Sequence, residues 1–186
     1  MDMDRDWLFG PHATRMDETR RLEFTDKVQR GSVQYGPNLK SYTALLTSSY
    51  PVDDHHTTED TFLALGSAFK TTLGPRTGLA RFGYAYAPLD EALARAVLDI
   101  SSRPFFVGKF GFEGQMLGTL NTQMIHHGLD SWARAADVTL NVNVIEGQND
   151  HHRAESAFKA LALACKQACE RVKGKEGEVI STKGVL

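Results

Sequence analysis

"DHHTTEDTFLALGSAFKTTL", Asp54 to Leu73, returns 96 residues later as "DHHRAESAFKALALACKQAC", Asp150 to Cys169. Nine of the twenty aligned positions are identical, among them both histidines, the glutamate, Phe62/Phe158, Ala64/Ala160, Leu65/Leu161 and Lys70/Lys166. The identities run past the polar residues into an apolar face, so the duplicated object is a packed unit rather than an isolated motif. Each stretch predicts a helix: Asp or Asn precedes the histidines where capping oxygens belong, and apolar residues then recur at helical spacing. Phe62, Leu65, Phe69 and Leu73 form one stripe; Phe158, Leu161 and Cys165, flanked by Ala162 and Cys169, form the other.

Working outward, "DVTLNVNVIEG" alternates Val138, Leu140, Val142 and Val144 and reads as a half-buried strand. "ALARAVLDISSRPFFVGKFGF" is rich in strand formers, and "LNTQMIHHGLDSWARAA" has a helical period with Met124, Leu129 and Trp132 on its apolar side. The second half thus reads strand, helix, strand, helix. Two such units face to face predict an α+β sandwich with one shared core.

The 186 residues suffice for one well-packed domain. No run approaches the roughly 20 apolar residues of a membrane span, so a soluble protein is expected. The start, "MDMDRDWLFGPHATR", lacks the basic and apolar regions of a signal peptide, which makes the cytoplasm the expected location. With 21 basic and 23 acidic side chains and no basic block, neither nucleic acid nor membrane is an expected partner. Cys165 and Cys169, four residues apart on a helix face, read as small buried hydrophobes in a reducing compartment.

Six of the seven histidines occur as adjacent pairs: His55-His56, His126-His127 and His151-His152. On a helix His55 and Glu59 are i,i+4 and His56 and Glu59 are i,i+3, both on one face, which suits imidazole and carboxylate to a shared cation. Adjacent histidines, by contrast, point roughly 100° apart. A pair therefore serves two ions, or one ion in each of two subunits. Ligation by imidazole and carboxylate without thiolate suits Mn, Fe, Co, Ni or Zn and discriminates poorly among them.

"DDHHTTEDTFLALGSAFK", "RFGYAYAPLDEAL", "DISSRPFF", "GQNDHHRAESAFKALA" and "STKGVL", in this order, resemble the imidazoleglycerol-phosphate dehydratase family, most closely its fungal members. The resemblance runs from about Asp53 to Leu186. It implies a duplicated βαβ-type unit of the ribosomal protein S5 domain 2-like kind. It also implies a lyase of histidine biosynthesis that dehydrates imidazole glycerol phosphate to imidazole acetol phosphate. Two manganese ions per active site are implied, other divalent metals being usable, in a large symmetric homo-oligomer with sites shared between subunits. Carried over by position, the metal ligands would be His55, His56, Glu59, His127, His151, His152 and Glu155; His126 matches no family ligand. Arg81, Arg103, Lys159, Ser181 and Lys183 match phosphate-holding positions, where guanidinium forks and ammonium donors suit phosphate oxygens.

The reaction explains the metals. The departing hydroxyl sits on the carbon attached to the imidazole ring, and the proton lost from the next carbon is not acidic. Lewis-acid activation of the ring favours loss of hydroxide, and a general base then takes the proton. Glu59 and Glu155 are candidates for proton transfer as well as ligation. The family's N-terminal acidic segment is matched only by Glu18 in "RMDET", and Asp90 or Glu91 in "PLDEAL" is the alternative.

One expectation of the repeat fails within the sequence itself. His127 precedes the second motif by 24 residues, so the first half should carry a histidine near position 31; residue 31 is Gly, and no histidine lies between His12 and His55. "QRGSVQYGPNLKSYTALLTSSYPV" reads as loop and a short β-like run where the family has an Asp-His-Met helix. The expected organisation is therefore a divergent, disordered or misread segment over residues 1–52, the remainder of the first repeat over 53–90, and the second repeat with its phosphate-binding tail over 91–186. A misread gene is preferred over a degraded paralogue or a divergent helix. The rival functional reading is a non-catalytic dehydratase-like remnant without a complete metal site. An unrelated His/Glu metallohydrolase would leave "STKG" and the second motif unexplained.

Overall fold

The computed structural model describes residues 53–181. The 1–52 segment, Glu18 and Lys183 lie outside the described residues, as does the first-half helix that the repeat leads one to expect.

Three helices and a four-stranded sheet carry the described chain. α1 (Asp54–Leu73) leads into the hairpin β1 (Phe82–Leu89) and β2 (Ala92–Asp99), followed by β3 (Phe105–Lys109). A small ribbon of β4 (Met116–Leu117) and β5 (Leu120–Asn121) precedes α2 (Thr122–Ala136), β6 (Thr139–Glu146) and α3 (Asp150–Ala168). The sheet order is β1-β2-β6-β3, antiparallel except for the parallel pair β3 and β6. That pair is joined through α2, the crossover a parallel connection requires. The expected division between repeats, at 90/91, falls in the tight turn of the β1–β2 hairpin, whose strands pair along their whole length.

Both duplicated stretches are helices with the expected caps. The Asp53 carboxylate accepts the His56 N–H, and the Asn149 side chain accepts the N–H groups of His151 and His152. Gly74, with φ 58, stops α1. Arg76 closes α2 by donating to the carbonyls of Ala136 and Asp137, and Lys70 of α1 pairs with Asp137.

The sheet's inner face is built as the alternation predicts: Leu140 and Val142 of β6 are fully buried, as are Ala94, Ala96 and Leu98 of β2. Helix α3 covers β1 and β2, and α2 lies against β3. The row of α3 that meets the sheet is not the stripe expected from the sequence. Ala157, Ala160, Ala164 and Ala168 are buried completely or nearly so, whereas Phe158, Leu161, Cys165 and Cys169 are only partly buried and Ala162 is exposed. Close approach decides this: a Cβ on Gly83 of β1 would stand 1.9 Å from the Ala164 carbonyl oxygen, a fit only small side chains permit.

Helix α1 rests on α2 instead of on the sheet. Two glycines form the seat: a Cβ on Gly66 would stand 2.6 Å from the Trp132 carbonyl oxygen, and one on Gly128 2.6 Å from the Phe62 ring. Phe69 packs on Trp132 with ring centres 5.2 Å apart, and Phe62 reaches Phe158 of α3 at 6.4 Å.

Candidate metal centre

The packing of α1 on α2 brings His55, Glu59 and His127 together, with one ligand atom from each within 4.8 Å of the others. The helical repeat supplies the His55–Glu59 half, with Nε2 3.9 Å from Oε2. Tertiary packing supplies His127, whose Nε2 lies 3.8 Å from Glu59 Oε1 and whose ring stacks on that of His55 at 4.4 Å. His127 Nε2 is buried and has no hydrogen-bond partner. A buried imidazole nitrogen normally finds one; two imidazoles and a carboxylate converging around it fit a divalent metal of the borderline class. The neighbouring His126 points away, exposed, with its ring against Phe106 at 5.0 Å.

The second histidine pair has different surroundings. His151 Nε2 lies 3.4 Å from Glu155 Oε2, and Glu155 is shared with Lys159 at 3.0 Å. The hydrogen bond from Lys159 holds the Glu155 carboxyl below its ordinary range. His152 Nδ1 meets Glu91 Oε2 at 2.7 Å, and its Nε2 lies 3.7 Å from Asp90 Oδ2. Glu91 also accepts the backbone N–H groups of Asn149 and Gln148, and these bonds, with that from His152, bring its carboxyl down to about 2. Its hydrogen bond in turn raises the His152 imidazole above its usual value. In the first pair the partner is local: His56 Nδ1 meets Asp53 Oδ1 at 2.8 Å, which raises His56, while the bond from the His56 backbone N–H is the main cause lowering Asp53.

The residues assigned to phosphate divide between two places. Arg81 donates twice to Asp99, at 2.8 and 3.2 Å, stacks over Phe82 at 4.7 Å, and donates to the Ile180 carbonyl, next to Ser181. Its φ of 70 is left-handed, as are those of Asp90 (46) and Ser102 (54), which precedes Arg103. Such backbone in non-glycine residues concentrates where function outweighs local comfort. Arg103 is exposed in the β2–β3 connection, while Lys159 lies in the middle of α3 beside Glu155. Arg81 and Asp90 stand at opposite ends of β1, roughly 25–30 Å apart at strand rise. The α1–α2 cluster is thus the one place where the described residues bring three of the expected ligands together.

Sequence reasoning weighed Glu91 only as an acid or base and gave Asp53 only a capping role. Asp53 was within reach of a local argument, being three residues from His56. Glu91 was not, since 61 residues separate it from His152.

Fold and donor set describe an α+β protein with a candidate imidazole–carboxylate centre between α1 and α2, and a second copy of the His-His-Glu helix in α3. Comparison with known proteins narrows this. The profile of imidazoleglycerol-phosphate dehydratase matches residues 39–165, and the chain belongs to that family. Over 135 residues it is 58% identical to the imidazoleglycerol-phosphate dehydratase of Pyricularia oryzae and 60% identical to that of Neurospora crassa, in each case over 73% of this chain. It spans about 60% of the length of these curated relatives, matching 60% and 59% of them respectively. Among solved structures, the dehydratase of Staphylococcus aureus superimposes with a TM-score of 0.62 and 32% identity over 64% of this chain and 70% of that one. The Pyrococcus furiosus protein does so with a TM-score of 0.64 and 29% identity, covering 78% and 74%.

Proposed function

We propose that the chain is a cytoplasmic lyase of histidine biosynthesis that removes water from imidazole glycerol phosphate to give imidazole acetol phosphate, with manganese as the metal. The observation that carries this reading is the His55–Glu59–His127 cluster, with its buried, unpartnered His127 Nε2, in a member of this family. His55, Glu59 and His127 would hold one ion. His56, His151, His152 and Glu155 would contribute to ions completed by another copy. When bound, the metal supplies Lewis-acid activation of the substrate imidazole.

The chain's own groups divide the remaining work. Arg81, Arg103 and Ser181 would bind the phosphate at one end of the sheet, Lys159 from the middle of α3, and Lys183 is assigned to the same task by its place in "STKG" alone. Of the two acidic residues in the β1–β2 turn, Asp90 suits proton transfer: its side chain is 73% exposed beside His152, whereas both Glu91 oxygens are already engaged. Glu59 and Glu155 remain candidates through their places beside the histidines. The strand-length distance between Arg81 and Asp90 exceeds a small phosphate ester, which supports sites assembled between subunits. So does the outer face of β1, where Phe82, Tyr84 and Tyr86 are exposed together.

The test is turnover of imidazole glycerol phosphate by the purified chain with and without Mn, alongside particle mass by light scattering. Mn-dependent turnover by a large, uniform particle is expected. Mn uptake without turnover would favour the second reading, a non-catalytic relative, for which the specific observation is that no histidine stands between His12 and His55 to match His127 in the first half.

A further inference from the structure

We propose that Glu91 is a positioning residue that fixes the His152 imidazole so that Nε2 is the nitrogen presented to a metal. The inference rests on the metal-dependent reading above and concerns how this chain prepares a ligand before any ion arrives.

The geometry is that of a brace with three attachments. Glu91 Oε2 meets His152 Nδ1 at 2.7 Å, while Oε1 accepts Gln148 N–H at 3.0 Å and Asn149 N–H at 2.8 Å. The carboxylate is therefore anchored to the entrance of the helix that carries the ring it holds. A neutral imidazole has one donor and one acceptor nitrogen. With Nδ1–H donating to Glu91, the lone pair stands on Nε2, and a carboxylate in this position both orients the ring and raises its basicity.

The duplication shows why a distant residue is needed. Asn149 stands at the position that aligns with Asp53. In the first copy Asp53 is a carboxylate, and its Oδ1 takes both the backbone N–H and the Nδ1 of His56, each at 2.8 Å. In the second copy the aligned cap is an amide whose oxygen is occupied by the N–H groups of His151 and His152. Glu91 supplies the carboxylate that position 149 lacks. Two different residues thus reach the same nitrogen of the equivalent histidine, and in both copies the nitrogen left over is Nε2.

Glu91→Gln separates positioning from bracing. The amide oxygen can keep the two backbone bonds, but the amide nitrogen only donates, so Nδ1 becomes the acceptor and the proton moves to Nε2. The experiment uses the full chain with 15N-labelled histidine. Ring nitrogen shifts are read metal-free in alkaline buffer, followed by equilibrium titration with Mn and a thermal melt. The expected result is Nδ1–H on His152 in the natural protein and Nε2–H in the variant. Mn binding should weaken roughly 10–100-fold with the melting midpoint little changed. Asp53→Asn, in which one oxygen can still take both bonds, should leave affinity near the natural value. Unchanged tautomer and affinity in Glu91→Gln overturns the proposal, as does a loss of affinity that follows a loss of folding with the tautomer unmoved. Should the natural chain take up no Mn, the dehydratase reading fails instead, and the ring nitrogen shifts still decide whether Glu91 sets the imidazole.

Discussion

Helices α1 and α3 begin with the same Asp-His-His and carry the same glutamate and phenylalanine, yet they rest on different supports. α3 lies on the sheet through an alanine row pressed against Gly83, and its histidine pair stands at the hairpin end beside Asp90 and Glu91. α1 lies on another helix through Gly66 and Gly128, and that support brings His127 to the His55 and Glu59 that α1 carries. The same His-His-x-x-Glu motif thus yields a converged three-donor cluster in one place and an unconverged pair in the other. The spacing of the motif makes ligands available. What the helix is packed against decides whether they converge.

The largest effect should come from the supports themselves. Gly83→Ala is expected to cost at least about 3 kcal/mol in chemical denaturation, because the added methyl meets backbone that must shift. Gly66→Ala, in the looser helix–helix seat, should cost about 1–3 kcal/mol. The reverse order would mean that the α1–α2 seat, not the sheet, is the tighter half.

Next in size is the difference between the two sets of ligands. In the chain at high dilution, His127→Ala should weaken Mn binding by more than about 100-fold, beyond the loss of an outer partner. His151→Ala should leave that affinity unchanged, since His151 is not part of the cluster. Equal effects of the two substitutions, measured by isothermal titration, would show that the chain alone does not distinguish them.

A smaller effect follows from the partly buried row of α3 that carries the cysteines. Burial pushes the Cys165 thiol up to about 12 and the Cys169 thiol to about 11, from an ordinary 9.0. Folded values above the unfolded one mean that this stability is fully present below about pH 9 and is lost as the pH rises toward 11–12. The melting temperature should fall over that window, and less so in Cys165→Ala. Alkylation of both thiols should be slow in the native protein and fast in denaturant.

Smallest of all is Lys159→Ala. It removes an exposed i,i+4 pair with Glu155 and should change stability by no more than about 0.5 kcal/mol. A rise in KM without a matching loss of stability would support its assignment to phosphate; no kinetic change would remove it from that set.

Several local readings match the structure. The duplicated helices and their capped starts, the alternating strand through Leu140 and Val142, and the His55–Glu59 face all depend on neighbours within a few residues. Family membership was legible for a related reason: its motifs are contiguous runs. The failures came where the deciding neighbour is distant in sequence. The apolar stripe of α3 pointed to Phe158 and Cys165. The sheet chose the alanines instead, because hydrophobicity measures transfer out of water and not how closely two backbones can approach. Glu91 read as an acid–base alternative, until folding set it 2.7 Å from a histidine 61 residues away and tied both its oxygens. The sequence by itself determined which residues could bind a metal and at what helical spacing. Only the tertiary structure decided that His127 completes a cluster with His55 and Glu59, since a ligand set needs three side chains converging from two helices and periodicity within one helix cannot specify the other.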